Sequence, residues 1–190
     1  MELLLGVFSA FGLSASAGLN AYIPLLVVGT IAHYFPNTLN LAQPFDLLAN
    51  PWILILLGVL VIIEMIADKV PAVNHINDII QTFIRPAAGA VAFAASANVV
   101  TDINPVLALA CGLLVAGSVH TVKAAAVRPA VTAATAGAGT TPASIVEDII
   151  AFTTSILAIM LPIIMGVILI VGISLLIWWW WRRTNKVQAT

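Results

Sequence analysis

Charged residues are the scarcest feature of this chain. Lysine, arginine, aspartate and glutamate make up 8% of its 190 residues, whereas 62% are hydrophobic and the mean hydropathy is +1.11. Soluble domains carry roughly 25% charged residues, so the composition excludes a soluble globular protein. The short alternating segments of outer-membrane barrels are also missing. The long apolar runs instead predict an all-α polytopic membrane protein.

Three further absences narrow the choice of function. Cys111 is the only cysteine, which excludes an intrachain disulfide and a cysteine-ligated metal cluster. The net charge of −1 provides no basic surface for nucleic acid. The opening residues MELLLGVFSAFG lack the basic stretch of a signal peptide. The first apolar segment is therefore predicted to be retained as part of the fold.

Proline and polar clusters divide the chain into six apolar segments. These segments cover residues 3–34, 52–70, 76–99, 106–127, 144–161 and 163–181. About 20 helical residues cross a bilayer core of roughly 30 Å, and Pro162 divides a final run that would otherwise be about 50 Å long. The sequence therefore predicts six crossings in a single integral-membrane domain over residues 1–190, with a short tail at 182–190.

The basic residues are predicted to share one side of the membrane. With six crossings, Lys69, Arg85, Lys123, Arg128 and the cations of the tail all face the same compartment, and they are all the basic residues that the chain has. By the positive-inside rule this side is cytoplasmic, which predicts that both termini are cytoplasmic. The tail WWWWRRTNK fits an aromatic belt followed by a cytoplasmic stop.

The two halves of the chain, 1–100 and 101–181, also favour a 3+3 inverted repeat. The segment GLSASAGLN at 12–20 resembles GLLVAGSVH at 112–120, and the prolines that bracket the middle helix of each half are 20 residues apart: Pro51 and Pro71, Pro142 and Pro162. Three crossings per half would make the halves inverted relative to each other, as in many secondary transporters.

The first segment contains a stretch that is unusual for a membrane helix. Gly18, Asn20 and Pro24 stand in its middle, and they predict a break that lines a cavity. The alternative is close helix packing through small residues, with Asn20 hydrogen-bonded to a neighbouring helix. The residues leave both explanations open.

Most of the ionisable residues are predicted to meet at the cytoplasmic side. Glu64 lies about 10 Å of helix before Pro71, and Arg85 is similarly deep, where a charge is costly and usually serves a pathway or a paired site. Charges nearer the helix ends have a simpler explanation, since they face headgroups and water. The predicted polar cluster consists of Asn20, Glu64, Asp68, Lys69, His75, Asp78, Arg85, His120, Lys123, Arg128, Glu147 and Asp148.

Several chemistries are compatible with this cluster. His75, Asp78 and His120 are weak candidates for a divalent metal site, and Arg85, Lys123 and Arg128 could hold a lipid phosphate or a small anion. The sequence contains no HExxH motif, no phosphate-binding loop and no nucleophile elbow. It therefore identifies no catalytic residue and no cofactor, and an enzyme is the less favoured interpretation.

The motifs GLNAYIPLLVVG, E-x-x-x-DKVP, RPAAGA, H-x-x-K-A and S-x-x-ED resemble those of a family of small bacterial membrane proteins, domain-of-unknown-function family 4126. The resemblance spans roughly residues 12–162. It implies an integral-membrane fold and little about activity. The expected location of the protein is the bacterial inner membrane. Where family members often carry Asp before the histidine, this chain has Asn74. The resemblance therefore does not support a scheme that needs a carboxylate there.

The leading hypothesis is a small inner-membrane transporter or channel-like protein. Glu64 and Asp68 would be proton- or cation-responsive carboxylates, with Arg85 and Lys123 as their counter-charges. The expected partners are membrane lipids, a small ion or solute and further copies of the chain in a homo-oligomer, and nucleic acid is not expected. The alternatives are a membrane-interface enzyme or a protein that binds lipid headgroups or metal, and a non-catalytic assembly subunit.

Overall fold

The computed structural model describes residues 2–69, 71–97 and 104–187, and within these ranges the fold is all helical, as predicted. A 3-10 turn at Phe45–Ala49 precedes the helix that begins at Pro51, and a π-helical stretch at Lys123–Val127 joins the helix that ends at Val122 to the helix that begins at Arg128. The helices are α1 (Glu2–Leu19), α2 (Tyr22–Tyr34), α3 (Pro51–Ala67), α4 (Pro71–Ala97), α5 (Pro105–Val122), α6 (Arg128–Thr135), α7 (Thr140–Met160) and α8 (Pro162–Val187).

Four helical stretches among the described residues are long and apolar enough to cross a membrane. They are Asn77–Ser96, Pro105–Thr135, Thr140–Met160 and Pro162–Arg182. The remaining apolar helices α1, α2 and α3 are shorter. These lengths fit a membrane-embedded protein, but they do not give the predicted count of six crossings.

α1 is the central helix of the bundle, because its small residues let three neighbours approach closely. Ser14 Oγ donates a hydrogen bond to Gly112 O on α5 at 2.7 Å, and Ser16 Oγ donates to Ala151 O on α7 at 2.7 Å. A Cβ atom on Gly18 would lie 2.6 Å from Ala116 O. Small residues allow this kind of contact in membrane helices, where the backbones approach each other.

α1 and α2 form a hairpin that returns to the end of the bundle where it started. The first half of α1 lies beside the end of α4, where Ser96 Oγ donates to Ser9 Oγ at 2.9 Å. α2 then runs back from its contact with Glu64, and His33 near its end bonds the carbonyl of Ala49 at 2.8 Å, just before α3 begins. The tip of the hairpin is Asn20.

This hairpin confirms the predicted break in the first segment and corrects the prediction that residues 3–34 cross as one helix. The break follows from Pro24, which has no N–H to bond Asn20 O and would clash with it in a continuous helix. In the first turn of a new helix, the same proline is tolerated. The start of α1 therefore lies at the opposite end of the bundle from Lys69 and Arg128.

The directions of α1 and α5 do not confirm the predicted inverted repeat. The two helices run in the same direction, since Ser14 bonds Gly112 and the end of α1, at Leu19 O, accepts from Lys123 at the end of α5. An inverted repeat would place these corresponding helices antiparallel. The similar segments 12–20 and 112–120 pack against each other through small residues.

Candidate functional site

Two charged side chains hold the hairpin tip, a cation at the C-terminus of α1 and an anion at the N-terminus of α2. Leu19 O, at the end of α1, accepts a hydrogen bond from Lys123 Nζ at 2.8 Å. Ala21 N donates to Glu64 Oε2 at 3.0 Å, and Asn20 Oδ1 accepts from the backbone N–H groups of Tyr22 and Ile23 at the start of α2. A cation at a helix C-terminus and an anion at an N-terminus both complement the helix dipole.

Glu64 and Arg85 form a fully buried ion pair beside this tip. Arg85 Nη2 and Nε donate to Glu64 Oε1 at 2.9 and 3.1 Å, and both side chains are 0% exposed. Glu64 comes from the last turn of α3 and Arg85 from the middle of α4. The two residues that sequence reasoning placed deepest are therefore partners, and they contact the helix break directly through Ala21.

Asp68 is the point at which three cations meet. Its Oδ2 atom lies 3.2 Å from Arg85 Nη2, 3.4 Å from Lys123 Nζ and 3.0 Å from Arg128 Nη2. Its Oδ1 atom accepts from Asn77 Nδ2 at 2.7 Å. Asp68 follows the end of α3, and its buried carboxylate connects α3, α4 and the α5–α6 region.

The π-helical stretch at Lys123–Val127 explains how Lys123 and Arg128 reach the same carboxylate. In an α-helix, residues five apart point about 140° away from each other, because each residue turns the chain by about 100°. A π-helix bonds residue i to i+5 and brings such residues onto one face. The missing N–H of Pro129 favours this departure from α-helical bonding.

A second set of carboxylates on α7 closes the cluster from the other side. Glu147 Oε2 lies 2.7 Å from Lys123 Nζ. Asp148 accepts from Asn20 Nδ2 at 3.0 Å and from Lys69 Nζ at 2.9 Å. The α1–α2 tip is therefore enclosed by charged groups from α3, α4, α5 and α7.

His120 is a neutral member of the cluster, as its hydrogen bonds indicate. Arg85 Nη1 lies 3.2 Å from His120 Nδ1, and a guanidinium can only donate. The proton of the neutral ring therefore lies on Nε2, which faces Thr82 Oγ1 at 3.2 Å. His120 links the buried Arg85 to the exposed Thr82.

The structure brings together all the predicted cluster residues whose side chains it describes. Asp78 lies at the rim, where both of its oxygens are 2.6 Å from Arg128 Nη1. The side chain of His75, on α4, lies outside the described residues. Within the described part, no group of three histidine, cysteine or carboxylate side chains is placed to hold a metal ion. Arg85, Lys123 and Arg128 all contact Asp68, which disfavours a separate anion site made by the three.

Sequence reasoning missed three polar residues on α4. Asn77 and Gln81 lie eight and four residues before Arg85, on the same helix face, and both are buried. Asn77 bonds Asp68, whereas the described residues offer Gln81 Oε1 no hydrogen-bond partner. Thr82 contacts His120. The i, i+4, i+8 spacing of Asn77, Gln81 and Arg85 indicates that these residues share a helix face. The two amides were not predicted as part of the cluster because amides near a helix end usually face water.

A small cavity with polar groups in its wall lies beside Glu147. Ser144 is buried, and its Oγ atom has no hydrogen-bond partner among the described residues. It lines a cavity of about 10 Å³ together with Arg128 and Glu147. A cavity of this size and polarity holds about one water molecule.

Replacing Asn20 with alanine is expected to destabilise the hairpin tip. Loss of a helix cap costs about 1–2 kcal/mol, and here the change also removes the donor to buried Asp148. Asn50→Ala is the matched control, because Asn50 caps α3 through Trp52 N at an exposed position. Thermal unfolding in detergent should give a lower Tm for Asn20→Ala than for Asn50→Ala. Equal losses would mean that the tip contributes no more than an exposed cap.

A family model described as "Domain of unknown function (DUF4126)" matches residues 7–182. The matched range includes the hairpin from residue 7 onward, with its tip, and every described side chain of the cluster. No curated protein and no solved structure matches the chain significantly.

Proposed function

Since the chain belongs to the DUF4126 family, whose description assigns no function, we propose from the geometry of its site that it transports an ion or a small solute across a membrane. The observation that carries the proposal is the buried Glu64–Arg85 pair at the tip of a broken helix. Transporters commonly place their sites where discontinuous helices end within the membrane. A charge at such depth usually marks a pathway.

The contacts of Glu64 indicate how the site would respond to a proton or a cation. Its carboxylate serves both Arg85 and the N–H group of Ala21. Neutralising that carboxylate weakens both contacts and leaves the start of α2 able to bind another acceptor. Arg85 retains Asp68 as a partner at 3.2 Å, so its charge does not become isolated. The hairpin tip is in this way coupled to the charge state of Glu64.

The transport proposal is tested by ion flux into proteoliposomes, with H⁺, Na⁺ and K⁺ as the probes. Wild-type protein should carry at least one of these ions faster than protein-free liposomes, and Glu64→Gln should remove that excess. Asp46→Asn is the matched control, since Asp46 is exposed in the 3-10 turn and lies outside the cluster. Equal flux through wild type and Glu64→Gln would contradict the role of Glu64.

The hairpin supports a topology different from six crossings. In this arrangement α3, α4, α5, α7 and α8 cross the bacterial inner membrane, and α1–α2 enters and leaves on one side. The positive-inside rule places Lys69 and Arg128 in the cytoplasm. The C-terminus would then be cytoplasmic, and the N-terminus would be periplasmic.

Thiol labelling of intact cells checks this topology in a Cys111→Ser background. Leu4→Cys should react with a membrane-impermeant maleimide added outside, as should Asn37→Cys in the loop after α2. Ala138→Cys, in the loop between α6 and α7, should react only after the membrane is opened. All three positions are exposed. Labelling of Leu4→Cys only after opening would restore a conventional first crossing.

A structural role for the cluster is the second candidate, and one observation favours it. Each of the five carboxylates in the cluster has a cationic partner within 4 Å. Interhelical ion pairs of this kind could serve only to lock the bundle. A variant in which both members of an ion pair are neutral distinguishes the transport function from the structural role.

The formation of a homo-oligomer remains a prediction, as does activity as a membrane-interface enzyme.

A further inference from the structure

A long apolar groove runs between α2, α3 and α7, and its lining meets the charged cluster at Asp148. Its volume is about 540 Å³, and it is open along one side. The lining includes Val27 and Ile31 from α2, Val61 and Met65 from α3, and Ile149 and Phe152 from α7. Ligand pockets in proteins commonly have volumes of about 300–1,000 Å³ and mostly apolar walls.

The groove is elongated along the bundle and has one polar end. On α7 its lining extends from Ile145 to Ile156, which corresponds to about 16 Å of helix. Asp148, a member of the cluster, and Met65 line the polar end, whereas Ile31 and Ile156 lie toward the other end. An apolar trough parallel to membrane-length helices matches the shape and direction of an alkyl chain in a bilayer.

The exposed charge at the polar end is positive. Lys69 Nζ donates to Met65 O at 3.0 Å and to Asp148 Oδ2 at 2.9 Å, which uses two of its three N–H groups. The side chain of Lys69 is 24% exposed, compared with 6% for Asp148. Both oxygens of Asp148 already accept hydrogen bonds, from Asn20 and Lys69. A ligand at this end therefore meets an ammonium group, which complements an anion.

We propose that the groove binds one acyl chain of a membrane phospholipid and that Lys69 contacts the lipid phosphate. Acyl chain and phosphate together match the apolar trough and the cation at its end. The bound chain would pack against α2 and brace the hairpin. This site is independent of the transport proposal, because the groove lies between the helices and not at the Glu64–Arg85 pair.

The test measures lipid binding to purified protein in detergent by native mass spectrometry. The probes are phosphatidylglycerol and diacylglycerol with identical acyl chains. Ile149→Trp fills the groove and should weaken binding of both lipids by about tenfold or more, since each excluded methylene weakens binding about fourfold. Ile150→Trp is the matched control, because Ile150 is exposed on the same helix and does not line the groove.

The headgroup contact is tested with Lys69→Gln. This variant should weaken binding of phosphatidylglycerol and leave diacylglycerol unchanged, whereas Arg182→Gln, which removes an exposed charge over Trp178, should affect neither. Equal lipid binding by Ile149→Trp and Ile150→Trp would overturn the proposal, as would unchanged phosphatidylglycerol binding by Lys69→Gln. A wild-type dimer that Ile149→Trp converts to monomer would also overturn it, by assigning the groove to a second copy of the chain.

Discussion

Arg85→Met is expected to destabilise the folded protein strongly. The substitution leaves the fully buried carboxylate of Glu64 without a cation and removes one of the three cations around Asp68. Removing one member of a buried ion pair costs about 3–5 kcal/mol. For a chain of this length, such a loss lowers Tm by roughly 10 °C. The measurement is thermal unfolding in detergent, together with the monodisperse fraction after solubilisation.

The double variant Glu64→Gln/Arg85→Met should recover much of that stability. Neutralising both partners removes the isolated charge, and such replacements are often close to neutral. The carbonyl oxygen of the introduced glutamine side chain can still accept from Ala21 N, and Asp68 keeps Lys123 and Arg128. A double variant as unstable as Arg85→Met would mean that Arg85 acts through packing or His120 and not through its pairing with Glu64.

Lys123→Met is the second change with a large expected effect. Lys123 holds Leu19 O at the end of α1 and faces the carboxylates of Asp68 and Glu147. Without Lys123, the C-terminus of α1 loses its cation, and the buried carboxylates of Asp68 and Glu147 each lose a positively charged neighbour. The free energy of unfolding is expected to fall by about 3–5 kcal/mol. The measurement is again the shift of Tm in detergent.

Arg182→Met is the matched control for the loss of a cation. Arg182 is exposed and lies 4.2 Å from the centroid of the Trp178 ring. An exposed contact of this kind contributes about 0.5–1 kcal/mol. If Lys123→Met were no more destabilising than Arg182→Met, the hairpin tip would not depend on its buried cation.

The composition of the site was predictable because burial of charge is so costly. Glu64 and Arg85 stand out in sequence since apolar residues surround them, and a charge at depth needs a partner. The partner relations of Asp68 were harder to predict. They depend on the π-helical stretch after Lys123, which turns Arg128 onto the same face. Hydrophobic periodicity assumes a constant turn per residue, so it could not reveal this rotation.

The path of the first segment shows where sequence patterns fail for the fold. Asn20 and Pro24 predict a break, but the direction taken after the break depends on contacts with distant residues. Glu64 accepts a hydrogen bond from Ala21 N at the start of α2. His33, near the end of α2, bonds the carbonyl of Ala49 just before α3. A hydropathy profile gives the length of an apolar segment but not the direction in which the chain runs. A hairpin and a crossing helix therefore give the same profile. A first segment that crosses would place the N-terminus at the end of the bundle that holds Lys69 and Arg128, whereas α1 begins at the opposite end.

Ion flux through the Glu64→Gln/Arg85→Met double variant shows whether the buried pair serves transport or only stability. The experiment compares H⁺, Na⁺ and K⁺ flux into proteoliposomes for wild type, the double variant and Asp46→Asn, after equal Tm and equal reconstitution have been verified. We predict that wild type and Asp46→Asn carry an ion well above protein-free liposomes and that the double variant does not. Wild-type flux through a folded double variant would contradict the account and assign the buried pair to the stability of the bundle.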